Sequence, residues 1–220
     1  MNLMVLLGLG LALGLRHAAD PDHVVAVTAI TARTRGLFSA ASLGMVWGLG
    51  HTLTLLAVGT GIILFGWVVP PRLGLAMEFV VALALVTVGL LNLRGGLDSD
   101  LREGARAGAR PQAGRAFAIG LAHGLAGSAA VALLVLATVR DPRWACGYLL
   151  VFGAGTLIGM VVVTTGMALP LAAIARRWGG APRMARVGTG MLSLVFGMWL
   201  VVQIGWHDGL FRSIPHWNPH

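Results

Sequence analysis

Residues 73–93 read LGLAMEFVVALALVTVGLLNL, with Glu78 the sole ionisable side chain in the run. A hydrocarbon core about 30 Å thick is crossed by about 20 helical residues. The run is bounded by Pro70-Pro71-Arg72 before it and by the polar stretch Arg94 to Arg115 after it, so it reads as one transmembrane helix. Working outward, further apolar runs lie at about 2–32, 39–67, 116–138, 145–173 and 187–206. Composition agrees: 57% of the 220 residues, about 125, are apolar, and only 11% are charged. A soluble domain carries about 25% charged residues. The expected fold is therefore an all-α integral membrane protein with six transmembrane helices.

The remaining residues exclude several functions. All sixteen basic residues are arginine, so neither a GxxxxGK[ST] phosphate loop nor a lysine Schiff base is available. A single cysteine, Cys146, rules out a disulfide framework and a cysteine-type zinc site. The net charge of +8 is not a nucleic-acid signal, because the arginines sit at the ends of apolar runs instead of on a soluble face. The first run lacks a basic leader and ends in a charged motif, so it reads as a span and not as a signal peptide.

Arginine placement orients the chain. The loops after spans one, three and five carry 2, 5 and 4 arginines, whereas the opposite side carries 4 in all, with Arg16 left inside span one. Both termini are expected to face outward from a prokaryotic cytoplasmic membrane. Segments also recur. Gly14-Leu15-Arg16-His17 aligns with Gly120-Leu121-Ala122-His123 at an offset of 106, and Val46 to Gly50 aligns with Val151 to Gly155 at 105. Leu85 to Leu91 aligns more weakly with Leu192 to Met198. Three spans per repeat is an odd number, so the halves are expected to be inverted, as in many secondary transporters. The expected organisation is residues 1–93 as the first repeat, 94–115 as a cytoplasmic loop, 116–206 as the second repeat and 207–220 as an outward tail.

Chemistry concentrates in span one, at Arg16-His17-Ala18-Ala19-Asp20-Pro21-Asp22-His23. Each ionisable group at mid-membrane costs about 3 kcal/mol on insertion scales, so Arg16, Asp20 and Asp22 need compensation. Pairing of Arg16 with Asp20 at i,i+4 offers part of it but leaves two histidines and Asp22 unexplained. Imidazole with carboxylate suits a transition-metal dication. In an unbroken helix His17 and His23 stand about 9 Å apart along the axis, too far for ligands at about 2.0–2.2 Å from one ion. Pro21 removes the hydrogen bond back to His17, which predicts a break at 18–22. Span two offers His51 as a third imidazole, beside a Gly44/Gly48 face fit for close helix approach. His123, aligned with His17, is a secondary candidate as ligand or proton relay, and Asp20 is another. Trp67, Trp144, Trp206 and Trp217 fit the interfacial aromatic belt.

The stretch Gly14 to His23 resembles the HX4DH signature of the nickel/cobalt transporter family. Leu49-Gly50-His51-Thr52 resembles that family's second histidine motif, and Gly120 to Ser128 is similar to a segment of its short branch, the urease accessory nickel permeases. Longer members carry a motif with Asp, Thr and Glu where this chain has His123 to Ser128. The resemblance covers essentially the whole chain. It implies transport of Ni²⁺ or Co²⁺ as substrate, with no resident cofactor and with His17, Asp22 and His23 as selectivity residues. An exporter of the same fold and a histidine-using membrane metalloenzyme, with His51 and His123 as haem ligands, are the alternative expectations.

Overall fold

The computed structural model describes residues 2–32, 36–66, 70–94, 110–124, 136, 138–139, 141–177 and 181–217. All regular elements among the described residues are helical. Helices α1 (Leu3–His17) and α2 (Pro21–Thr31) form the first span, bent by 51° between them. Helix α3 (Leu37–Phe65) stops at Gly66, whose φ of 61° lies in the left-handed region and whose N–H donates to the Ile62 carbonyl at 3.0 Å. Helix α4 (Pro71–Leu93) starts on a proline, tolerated there because first-turn N–H groups have no partner inside the helix. Helices α5 (Arg110–His123), α6 (Pro142–Arg177) and α7 (Ala181–Val202) follow, and α7 runs on into a π-helical turn, Gln203–His207.

Leu37–Phe65, Pro71–Leu93, Pro142–Ile174 and Arg183–His207 are each long and apolar enough to cross a bilayer, and the bent α1–α2 pair makes up to five such spans. Of the expected span at 116–138, residues 125–135 lie outside the described residues. Its described start differs from expectation, since α5 begins at Arg110, inside the stretch read as a loop. The polar residues there carry no apolar stripe, so composition gave no sign of helix.

Large apolar side chains cover the exterior, and the interior holds polar groups beside apolar ones. Phe38, Leu150, Val162 and Val195 stand exposed, whereas His17, His23, His51, His123, Asn92 and Thr156 are buried. In lipid this is the stable arrangement, because apolar side chains match the solvent and polar groups must find partners inside. The interior polar groups do bridge helices: Thr54 Oγ1 donates to the Leu121 carbonyl at 3.1 Å, Asn92 Nδ2 to Ala29 at 2.9 Å and Ser193 Oγ to Leu85 at 2.8 Å.

Helices pack as α1 on α6, α3 on α5, α3 on α6 and α4 on α7. Small residues make these contacts, and they recur at the offsets of the sequence repeat. A methyl group on Gly14 of α1 would strike the Phe152 carbonyl oxygen of α6; one on Gly120 of α5 would strike the Trp47 carbonyl oxygen of α3. Gly48 would meet Leu157 at 2.7 Å, and its counterpart Gly153 would meet Thr52 at 2.7 Å. Gly89 would meet the Leu194 nitrogen at 2.6 Å, and Gly197 the Val86 nitrogen at 2.8 Å. In each case the partners are exchanged between the two halves of the sequence.

At the N-terminal end of α4 the C-terminal segment folds back onto the bundle. Trp217 packs over Gly74 and donates from Nε1 to Glu78 Oε1 at 2.9 Å, and Arg72 donates to the Ser213 carbonyl at 3.2 Å. Glu78 is thereby tied to the tail, and Trp217 covers the first turns of α4.

Candidate metal centre

The site begins with the break in span one. The Ala19 N–H donates to Arg16 and the Asp20 N–H to His17, at 2.9 and 3.1 Å, tightening the last turn of α1. Asp20 is then extended (φ −60°, ψ 146°), and Pro21 opens α2 at a new angle. The carbonyl of His17 that Pro21 cannot serve is thus taken by Asp20. The new direction places the His17 and His23 rings 4.8 Å apart by centroid.

His51 reaches the same point from the middle of α3. His17 Nε2 and His51 Nε2 are 2.8 Å apart, and the His51 ring lies 5.0 Å from that of His23. All three imidazoles are buried, and one nitrogen from each falls within 4.8 Å of the others. Asp20, Asp22 and His23 form a second such set in which the two carboxylates are partly open. Glycine packing explains the convergence: Gly48 and Gly50 bring α3 against α6 and α5, and Gly14 brings α1 against α6.

The carboxylates orient the rings. His17 donates from Nδ1 to Asp20 Oδ2 at 2.9 Å, and His23 donates from Nδ1 to Asp22 Oδ1 at 3.1 Å. Asp20 is therefore paired with His17, in place of the i,i+4 partner Arg16, whose side chain is exposed. A neutral His17 that donates at Nδ1 presents a lone pair at Nε2, so His51 Nε2 is the donor of the 2.8 Å bond. His51 Nδ1 and His23 Nε2 are buried without hydrogen-bond partners. Unsatisfied buried polar atoms cost about 1–3 kcal/mol each, and an electron-pair acceptor at the cluster relieves that cost at His23 Nε2. Metal-binding histidines characteristically donate their remote ring nitrogen to a carboxylate in this way, which fixes the tautomer and the ring orientation.

His123, at the end of α5, is buried beside His23 with ring centroids 5.5 Å apart, but it lies outside both sets. Its Nδ1 faces the Ile119 carbonyl at 3.3 Å and its Nε2 has no partner. Two aromatic walls of the site carry no sign of their role in the sequence read residue by residue. Trp47 lies parallel to His23 at 6.2 Å and edge-on to His123 at 5.3 Å, and Phe152 faces His17 at 5.8 Å. The signal available for them was the repeat itself, since Trp47 and Phe152 are aligned positions.

A helical bundle with an apolar exterior and buried imidazoles at a broken helix is a multi-pass membrane protein, here with a candidate metal centre inside it. The chain is 34% identical to the urease accessory protein UreH of Bacillus sp. (strain TB-90) over 222 aligned positions, 96% of each chain. It belongs to that urease accessory protein family, the branch to which its histidine motifs point. No protein-family profile and no solved structure matches it.

Proposed function

We propose that this protein is a nickel permease, a secondary transporter and not an enzyme, which carries Ni²⁺, and Co²⁺ less selectively, across the cytoplasmic membrane into the cell. The convergence of His17, His23 and His51 on one buried point carries the proposal. Three imidazoles with two adjacent carboxylates suit borderline transition-metal dications and not magnesium or calcium. Kinship with a urease accessory protein favours nickel. The hydrated ion meets the partly open Asp20 and Asp22 first, whose two charges offset its own. It then sheds water to His17, His23 and His51.

The exchanged glycine contacts support six spans arranged as two inverted three-helix repeats, 1–93 and 116–206, joined by the 94–115 segment. Arginine counts favour outward termini. Transport follows when one half rocks against the other around the cluster.

Metal binding displaces protons. Ligation through His51 Nε2 moves that ring's proton to Nδ1 and releases none, but Ni²⁺ competes with protonation of every imidazole in the cluster, so affinity falls as the pH falls, by up to about tenfold per pH unit for each proton displaced. In proteoliposomes, Ni²⁺ uptake is expected at pH 7.5 and strongly weakened at pH 5.5, and imposing or collapsing a pH gradient reads the coupling. Uptake of neither Ni²⁺ nor Co²⁺ above protein-free vesicles sinks the proposal. Asp22→Asn keeps the size of the side chain and loses the charge that holds His23. Calorimetric Ni²⁺ affinity is expected to weaken by about 10–100-fold, the usual range for an outer-shell partner. An unchanged affinity removes Asp22 from the site.

A further inference from the structure

His123 is not one of the three imidazoles that gather around His17, yet it is built into the same interior. It is buried, its Nε2 has no hydrogen-bond partner, and its ring stands 5.5 Å from that of His23. Its setting copies that of His17. His17 lies against Phe152 at 5.8 Å, and His123 lies against Trp47 at 5.3 Å. His17 and His123 are aligned at an offset of 106, Trp47 and Phe152 at 105. The helices that carry them touch through equivalent glycines, Gly14 on Phe152 and Gly120 on Trp47. His123 therefore occupies in the second half the place that His17 occupies in the first.

The two places are unequal. The positions aligned with Asp20, Asp22 and His23 are Ala126, Ser128 and Ala129, and Thr156 stands where His51 is expected by the repeat. One half holds a complete ligand set, and the other holds a single imidazole. His23 lies between them, 4.8 Å from His17, 5.0 Å from His51 and 5.5 Å from His123, with an unpartnered Nε2.

We infer that His123 is a transit ligand: the cargo dication binds at rest to His17, His23 and His51, and leaves by exchanging His17 and His51 for His123 while His23 stays bound. The exchange is ligand substitution only, with no change of oxidation state: His123 and a water take the two positions on the ion that His17 and His51 leave, and the vacated rings return to their mutual hydrogen bond. A two-imidazole station, His23 with His123, suits an exit, because a weaker set releases the ion that a stronger set has captured.

The handover presupposes the transport function proposed above, and equilibrium binding separates the two. Purified His123→Ala and His123→Gln proteins are compared with wild type for Ni²⁺ affinity by calorimetry, for imidazole count by X-ray absorption, and for Ni²⁺ uptake in proteoliposomes. Gln keeps a polar side chain in the buried position should Ala fail to fold. The expected result is Ni²⁺ affinity within about threefold of wild type, an unchanged count of imidazoles, and uptake reduced at least tenfold. Native uptake in both variants makes His123 a packing residue and overturns the inference. A loss of affinity or of one imidazole places His123 in the resting set and overturns it equally. Wild-type protein that binds no Ni²⁺ overturns the transport function as well.

Discussion

Replacing His51 by alanine is expected to weaken Ni²⁺ binding by more than about 100-fold and to reduce uptake to the level of empty vesicles. The imidazole of His51 is the one ligand of the cluster that comes from outside span one. Without it the ion meets two rings from a single bent helix pair, and His17 Nε2 loses its 2.8 Å partner. Outer-shell partners of metal ligands are worth about 10–100-fold in affinity, so loss of a direct ligand exceeds that range. His51 is fully buried, and its removal leaves a polar cavity that water can fill, so the helices are expected to stay assembled. Calorimetry on detergent-solubilised protein measures the change, with His207→Ala, an exposed histidine of the C-terminal turn, as the control. Equal affinities in wild type and His51→Ala dismiss the three-imidazole site.

The second large effect concerns backbone contacts. Gly120→Ala is expected to destabilise the folded protein by more than about 3 kcal/mol, because overpacking alone costs about 1–3 kcal/mol even where side chains can yield. Here the added methyl group meets the Trp47 carbonyl oxygen and, at 2.7 Å, the Trp47 ring, and α3 cannot retreat without releasing His51 from the cluster. For a chain of this size that is a fall in Tm of about 6–12 °C. Gly14→Ala, in the exchanged contact with Phe152, is expected to behave alike. Gly188→Ala, with open space around it inside α7, is expected to leave Tm unchanged or raise it by about 1–4 °C. Thermal unfolding in detergent measures all three, and a Gly120→Ala protein as stable as wild type denies the close α3–α5 packing.

Much of this was legible in the sequence for a simple reason. A bilayer imposes length and polarity on each crossing independently, so runs such as 73–93 announce their helices without reference to the rest of the fold. The break in span one was equally local: a proline that cannot donate and a His17 carbonyl left to Asp20 are decided within six residues. Span boundaries were less legible. The helix that begins at Arg110 crosses a polar stretch where no apolar period marks it, and the packing of Trp217 on Gly74 joins residues far apart along the chain.

The sequence by itself determined that the protein is a helical membrane protein, where its first span bends, and which scarce ionisable residues have to be compensated inside it. Only the tertiary structure decided their pairing. Asp20 turns to His17 instead of Arg16, His51 comes within 2.8 Å of His17, and His123 stops one ring short of the set. The reason is that the membrane fixes each helix through its own composition, whereas the rotation and depth of one helix against another are set by close contacts at Gly14, Gly48, Gly50 and Gly120. Those contacts depend on both partners at once, and no single stretch of sequence contains them.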